Sequence, residues 1–162
     1  MIVRPATAAD AAAICAFWNP QIRETAVTFS PEERSPDTLG RLIETRQAEG
    51  RAFFVAEEQT EILGFATYFQ FRGGPGYGRT MEHTVILSPA AWGRGAGRAL
   101  MAAVEDHARD RGIHSMIAGV SSENPAGIAF HARLGYAEIA RLPEVGWKFG
   151  RWMDLVVMQK LL

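Results

Sequence analysis

The sequence has 162 residues, 48% of them hydrophobic, and its 17 Lys and Arg against 18 Asp and Glu leave a formal charge of -1. A chain of this length builds one domain, residues 1–162, with a core that needs no cross-links. Its near-neutral balance lacks the basic field that a nucleic-acid backbone requires, and no apolar run approaches the ~20 residues of a membrane span.

The opening MIVRPATAAD carries Arg4 and Asp10 where a secretion signal keeps an apolar stretch. The single cysteine, Cys15, lies among Ala13, Ile14 and Phe17, which fits a buried thiol in a reducing cytoplasm. In chain order, Ile2 to Arg4 reads as a short strand, and Thr7 with Asp10 starts a helix of about fifteen residues. Arg23 to Arg34 has no sustained period and reads as a loop. Ser35-Pro36 opens a second helix that stops at Gly50. Ala52 to Glu57 and Ile62 to Arg72 form a predicted antiparallel hairpin, after which Gly73 to Gly76 breaks the chain. Thr80 to Leu87 is the next strand. A helix from Gly97 to Arg111 follows, with Leu100, Val104 and Ala108 on one stripe. His114 to Val120 is a strand, Asn124-Pro125 caps a helix running to Leu134, and Tyr136 to Leu142 and Trp152 to Leu161 are the last two strands. This order predicts a mixed α/β layer arrangement.

The segment Trp92 to Ala102, WGRGAGRALMA, places Gly93, Gly95 and Gly97 at the mouth of an amphipathic helix. Glycines let consecutive N–H groups line one concavity, and the helix adds its unpaired first-turn donors and positive dipole end. Arg94 and Arg98 add full charges, so the loop suits a pyrophosphate-bearing ligand; a glycine-rich turn before an ordinary helix would look the same in isolation. A P-loop would continue with Lys and then Ser or Thr, but Arg98 and Ala99 follow Gly97. The dinucleotide spacing fails too, ending on Arg98 or Leu100 instead of glycine.

The strand-loop-helix V-x-L-x-P-x-x-x-G-x-G-x-G-x-A-L resembles the acyl-coenzyme A loop of the GNAT N-acetyltransferases, with Trp92 where that family usually has Arg or Gln. Three further segments are similar to the phosphinothricin/methionine sulfone (sulfoximine) acetyltransferase branch of that superfamily. They are T-M-E-H-T-V (Thr80 to Val85), Glu123-Asn124 with F-H-A-R-L-G-Y (Phe130 to Tyr136), and V-G-W-K-F-G-R-W-M-D (Val145 to Asp154) with Met158-Gln159. Departures lie at Trp92, at Ala126-Gly127 where the branch tends to carry Ser, and in the glycine-rich Phe71 to Gly78. The resemblance implies a mostly antiparallel sheet flanked by helices and splayed between Thr80–Leu87 and His114–Val120. It also implies acetyl-CoA as co-substrate, a small amino-acid-like amine as acceptor, direct transfer in a ternary complex, and a homodimer.

Glu82 is the candidate base, because a carboxylate inside an apolar strand is costly unless paired or functional; a solvated strand glutamate is the plain alternative. The resemblance gives the backbone of Val85, Ile86 and Leu87 to the thioester and pantetheine arm. It gives Gly93, Arg94, Gly95, Ala96, Gly97 and Arg98 to the diphosphate, and Asn124 to the coenzyme arm. His131 stands where much of the superfamily has a Tyr and is read either as the acid that protonates the leaving thiolate or as a structural histidine. Lys148 and Arg151 suit an acceptor carboxylate, or else brace the final strand or a dimer contact. Arg72 and Tyr77 are acceptor candidates by position. His83, His107, His114 and His131 have no metal-ligand spacing, so no metal is expected. A peptide or protein N-terminus as acceptor, and a non-catalytic acyl-CoA sensor domain, are the rival readings.

Overall fold

A seven-stranded sheet in the order β1-β2-β3-β4-β5-β7-β6 runs through the computed structural model, which describes residues 1–162. Strands β1 (Ile2–Pro5), β2 (Phe53–Glu58), β3 (Glu61–Gln70) and β4 (Thr80–Leu87) are antiparallel neighbours. Helices α1 (Ala11–Glu24) and α2 (Pro36–Ala48) cover one face. There Ile14, Trp18, Ile22, Leu39 and Ile43 pack on Phe53, Val55 and Phe65. On the other face α3 (Ala96–Asp110) buries the expected stripe Leu100, Val104 and Ala108 against Ala66, Tyr68, Met116 and Val156. Helix α4 (Pro125–Arg133) adds Ile128 and Phe130 to this second core. No helix is long and apolar enough to cross a membrane.

The α3 crossover makes β4 and β5 (Ser115–Ser121) the parallel pair of the sheet. They pair only at Thr80↔Ser115, Met81↔Met116 and Glu82↔Ile117, and then part, as the resemblance implied.

The C-terminal hairpin departs from the expected boundaries. β6 runs Ala137–Lys148 instead of ending at Leu142, and β7 runs Arg151–Leu161. Pro143 has no N–H to give the ladder, which reads in sequence as a strand end. The strand survives because the register jumps from Leu142↔Leu155 to Gly146↔Met153, a bulge in which the Glu144 amide donates to Asp154 Oδ1 at 2.9 Å. Phe149 and Gly150, at φ 53° and 71°, close the hairpin as a two-residue turn.

Candidate active site

A cleft of about 960 Å³ opens where β4 and β5 part, and residues from both faces of the sheet line it. On the α1/α2 face the cross-strand pairs Phe65↔Ile86, Thr67↔Thr84 and Phe69↔Glu82 form the wall. Glu82 therefore shares a face with Thr84 and Ile86, as its strand position predicted. Its carboxyl is half-buried, and burial alone pushes its pKa above the ordinary carboxylate value. Gly119 on β5 makes the room: a Cβ there would lie 3.1 Å from Glu82 Oε1.

On the opposite face His83 and His131 stack with ring centroids 5.0 Å apart, and Tyr136 stands edge-on to both at 5.5 Å. His131 Nδ1 donates to Gly127 O at 2.7 Å, since a carbonyl only accepts, so the neutral ring carries its lone pair on Nε2. Nε2 is buried without a partner, and burial pushes the His131 pKa down. An acid at Nε2 would need a doubly protonated ring, which this setting disfavours; in the neutral ring Nε2 accepts. His83, buried and beside His131, is pushed down to about 3.

The glycine loop divides its labour. Gly93 and Gly95 hold φ of 76° and 84°, where a side chain is strained, and nothing lies near a Cβ at either. Gly97 serves packing instead: a Cβ would sit 3.0 Å from the Phe130 ring and 3.2 Å from Leu87. The N-terminus of α3 has no side-chain cap, so its first-turn amides stay open. Val85, Ile86, Leu87, Gly93 and Asn124 line the cleft, with exposed Trp92 at its edge. The Leu87 carbonyl accepts from Gln21 Nε2 at 2.9 Å. Ala96 is buried at the start of α3, Arg98 is exposed, and Arg94 pairs with Glu58. Asn124 caps α4 by accepting from Gly127 N at 2.9 Å, and its amide lies where a Cβ on residue 127 would be.

Four sequence-predicted acceptor contacts fall outside this cleft. Lys148 is 4% exposed, and its ammonium donates to Ile22 O (2.5 Å), Thr25 O (2.7 Å) and Thr28 O (2.8 Å). All three of its protons are used by the end of α1 and the following segment, which leaves none for an acceptor carboxylate; what Lys148 braces is that segment and not the final strand. Arg151 forms a bidentate pair with Glu123 on the surface. Arg72 and Tyr77 stack on each other at 5.7 Å on the exposed turn after β3.

The structure puts other residues in their place. Val27, Thr28, Phe29, Ser30 and Arg34, from the segment read only as a loop, line the cleft together with Trp18, Leu42 and Arg46. Asn19 clamps Arg34 by accepting from its amide (2.8 Å) and donating to its carbonyl (2.9 Å). Phe29 lies flat against Gly146, where a Cβ would be 2.4 Å from the ring. Lys148 and Gly146 lie more than a hundred residues from the carbonyls and the ring they fix, so no contiguous motif marks this wall.

The family model described as the acetyltransferase (GNAT) family matches residues 19–136. The chain belongs to the GNAT acetyltransferase family. This GNAT chain is 41% identical to an L-methionine sulfoximine/L-methionine sulfone acetyltransferase of Salmonella typhimurium, over 98% of this chain and 93% of that one. Among solved structures, a ribosomal-protein-alanine N-acetyltransferase from Brucella melitensis superposes with a TM-score of 0.96 at 36% identity, over 100% of both chains. An acetyltransferase from Salmonella typhimurium solved with acetyl-CoA superposes at 0.95, with 39% identity over 100% of this chain and 94% of that one. The chain is thus an N-acetyltransferase with acetyl-CoA as co-substrate. The open amides of α3 and the parted edge of β4 fit such a group, since both leave backbone donors and acceptors without partners inside the protein.

Proposed function

We propose that this acetyltransferase acetylates the α-amino group of a small amino-acid-like substrate of the methionine sulfone, methionine sulfoximine or phosphinothricin type, by direct transfer in a ternary complex. The observation that carries this reading is the half-buried Glu82 carboxyl, free of internal partners, at the level where β4 and β5 part. Bound acetyl-CoA supplies an activated carbonyl and a thiolate leaving group. The amides of Gly93 and of Gly95 to Arg98 would hold its diphosphate, with Arg98 adding charge and Arg94 doing so on leaving Glu58, and Asn124 and the backbone of Val85 to Leu87 would hold its arm. Glu82 takes a proton from the substrate ammonium, because an amine is mostly protonated at pH 7 and cannot attack in that state. Its raised pKa makes it a stronger base than an ordinary carboxylate. His131 Nε2 offers a second acceptor on the far side of β4, at the end of the cleft that Asn124 and Gly127 line. The acceptor side is walled by Val27, Phe29, Leu42 and Phe69, which suits a short, partly apolar side chain.

The whole chain acts as one domain in this reading, and unpaired Cys15 suits the cytoplasm. Two copies associate through the β6–β7 hairpin. There Val145, Trp147, Phe149 and Trp152 are each more than half exposed, a larger apolar display than a lone surface needs.

Incubating purified protein with acetyl-CoA and a panel of acceptors, and following free thiol, tests the function. The panel holds methionine sulfone, methionine sulfoximine, phosphinothricin and a peptide beginning with alanine. Thiol release with the amino acids is expected, together with a loss of turnover on the order of 10²- to 10³-fold at pH 7 in Glu82→Gln and unchanged acetyl-CoA affinity. The name of the Brucella melitensis neighbour favours a second reading, a protein N-terminus as acceptor. Faster thiol release with the peptide would select it, and binding without thiol release on the whole panel would select a sensor domain.

A further inference from the structure

The charged side chains lining the cleft are Arg34, Arg46, Arg133 and Glu82. The three guanidiniums stand in different places. Arg133 belongs to α4, on the far face of the sheet. Arg34 lies over Trp18 at 5.3 Å, and Trp18 packs on Phe65, so this cation sits at the level of Ile86. Arg46 alone stands over Phe69, with its guanidinium carbon 5.0 Å from the ring centre, and Phe69 is the cross-strand partner of Glu82. Side chains paired in this way start about 5 Å apart on one face. Both groups therefore flank Phe69 in the wall of the cleft.

Arg46 is only partly satisfied inside the chain, by a loose ion pair with Glu49 and by the face of Phe69. Its Nε is buried without a partner, and its nearest carboxylate, Glu49, approaches Nη1 only to 3.7 Å, beyond hydrogen-bond length. Burial is the largest influence on the group and opposes its charge, so an anion beside it would relieve a cost the fold already bears. The helix holds it there: Leu42 and Arg46, one turn apart on α2, both reach the cleft.

An α-amino acid places its carboxyl carbon about 2.5 Å from its amino nitrogen, one bond angle away. A base and a carboxylate receptor serving such a molecule must line the same wall, and Glu82 and Arg46 both line the cleft around Phe69. We propose that Arg46 is a specificity-determining residue that binds the substrate's α-carboxylate while Glu82 receives the proton of its amino group. The enzyme thereby selects free amino acids over amines and peptide termini. The proposal rests on the reading of the site as an amino-acid N-acetyltransferase, and it replaces Lys148 and Arg151 in the role the sequence suggested for them.

The test compares kcat/KM for L-methionine sulfone and for its α-carboxamide in the wild type, Arg46→Gln and Arg46→Lys, with KM for acetyl-CoA and thermal midpoints measured on the same preparations. Comparing each variant with the wild type on each acceptor cancels the lower amine pKa of the amide. Arg46→Gln is expected to lower kcat/KM for the acid on the order of 10- to 100-fold, mainly through KM, and to change the amide by less than about 3-fold. Arg46→Lys should recover part of the loss. Equal losses on both acceptors would assign Arg46 to packing on Phe69 and overturn the proposal, as would an acid activity that Arg46→Gln leaves intact. Wild-type enzyme that acetylates acid and amide alike would overturn it while leaving the amino-acid reading in place; wild-type enzyme inactive on both would remove that reading and the proposal together.

Discussion

Glu82 and His83 are adjacent on β4, point to opposite faces of the sheet, and are pushed in opposite directions by the same cause. Burial raises the pKa of the carboxyl and lowers that of the imidazole, because each loses the solvent that favours its charged form. For Glu82 the consequence is kinetic: kcat/KM should climb with pH through its raised pKa, and Glu82→Gln should flatten that limb. For His83 the consequence is stability. An unfolded histidine binds its proton below about 6.5, whereas the folded one does so only near 3. Between those values the unfolded chain holds more protons, so stability falls as pH drops through that window. His83→Phe should lose less thermal midpoint between pH 7 and pH 4 than the wild type, as read by circular dichroism melts; an identical loss would show that other groups govern acid unfolding. Glu82 was legible in the sequence as a carboxylate among Val, Ile, Leu and Met. His83 was weighed only as a metal ligand, because its stacking on His131 and Tyr136 depends on α4 folding back over β4.

At the scale of elements, the segment from Thr25 to Arg34 has no regular structure yet a defined path. Lys148, Asn19 and Gly146 set it, through three carbonyls, a backbone clamp and the space for one phenyl ring. Lys148→Met keeps most of the apolar stem but abandons those carbonyls, and should destabilise the protein by about 2–4 kcal/mol in denaturant titration. It should also raise the acceptor KM more than the acetyl-CoA KM, because the wall it releases lies on the side of the cleft proposed for the acceptor. The elements themselves were mostly legible, since hydrophobic period, Ser35-Pro36 and Asn124-Pro125 mark starts and Gly112 and Gly135 mark ends. The C-terminal hairpin was not, because a proline in a strand signals an end unless a bulge absorbs it, and a bulge depends on the partner strand and its Asp154.

For the molecule as a whole, two cores lie on opposite faces of one sheet, and neither covers the outer end of β6 and β7. Trp147 and Trp152 stand across from each other there, with ring centres 4.8 Å apart and more than half of each in solvent. Sedimentation of wild type and of Trp147→Glu with Trp152→Glu should show a dimer and a monomer respectively; a wild type that sediments as a monomer at micromolar concentration would reject the association. Motifs contiguous in sequence, the glycine loop and the strand with Glu82, were readable before folding. The acceptor wall was not, since it is assembled from α1, α2, β3 and the segment after α1, whose contributions are single residues tens of positions apart.

The parting of β4 from β5 also divides the sheet's hydrogen-bond ladder along one line, with only three register pairs spanning it. An extended ligand that pairs with that seam in the native sheet, and not with the unfolded chain, raises stability with its occupancy. The thermal midpoint should therefore rise with the concentration of acetyl-CoA.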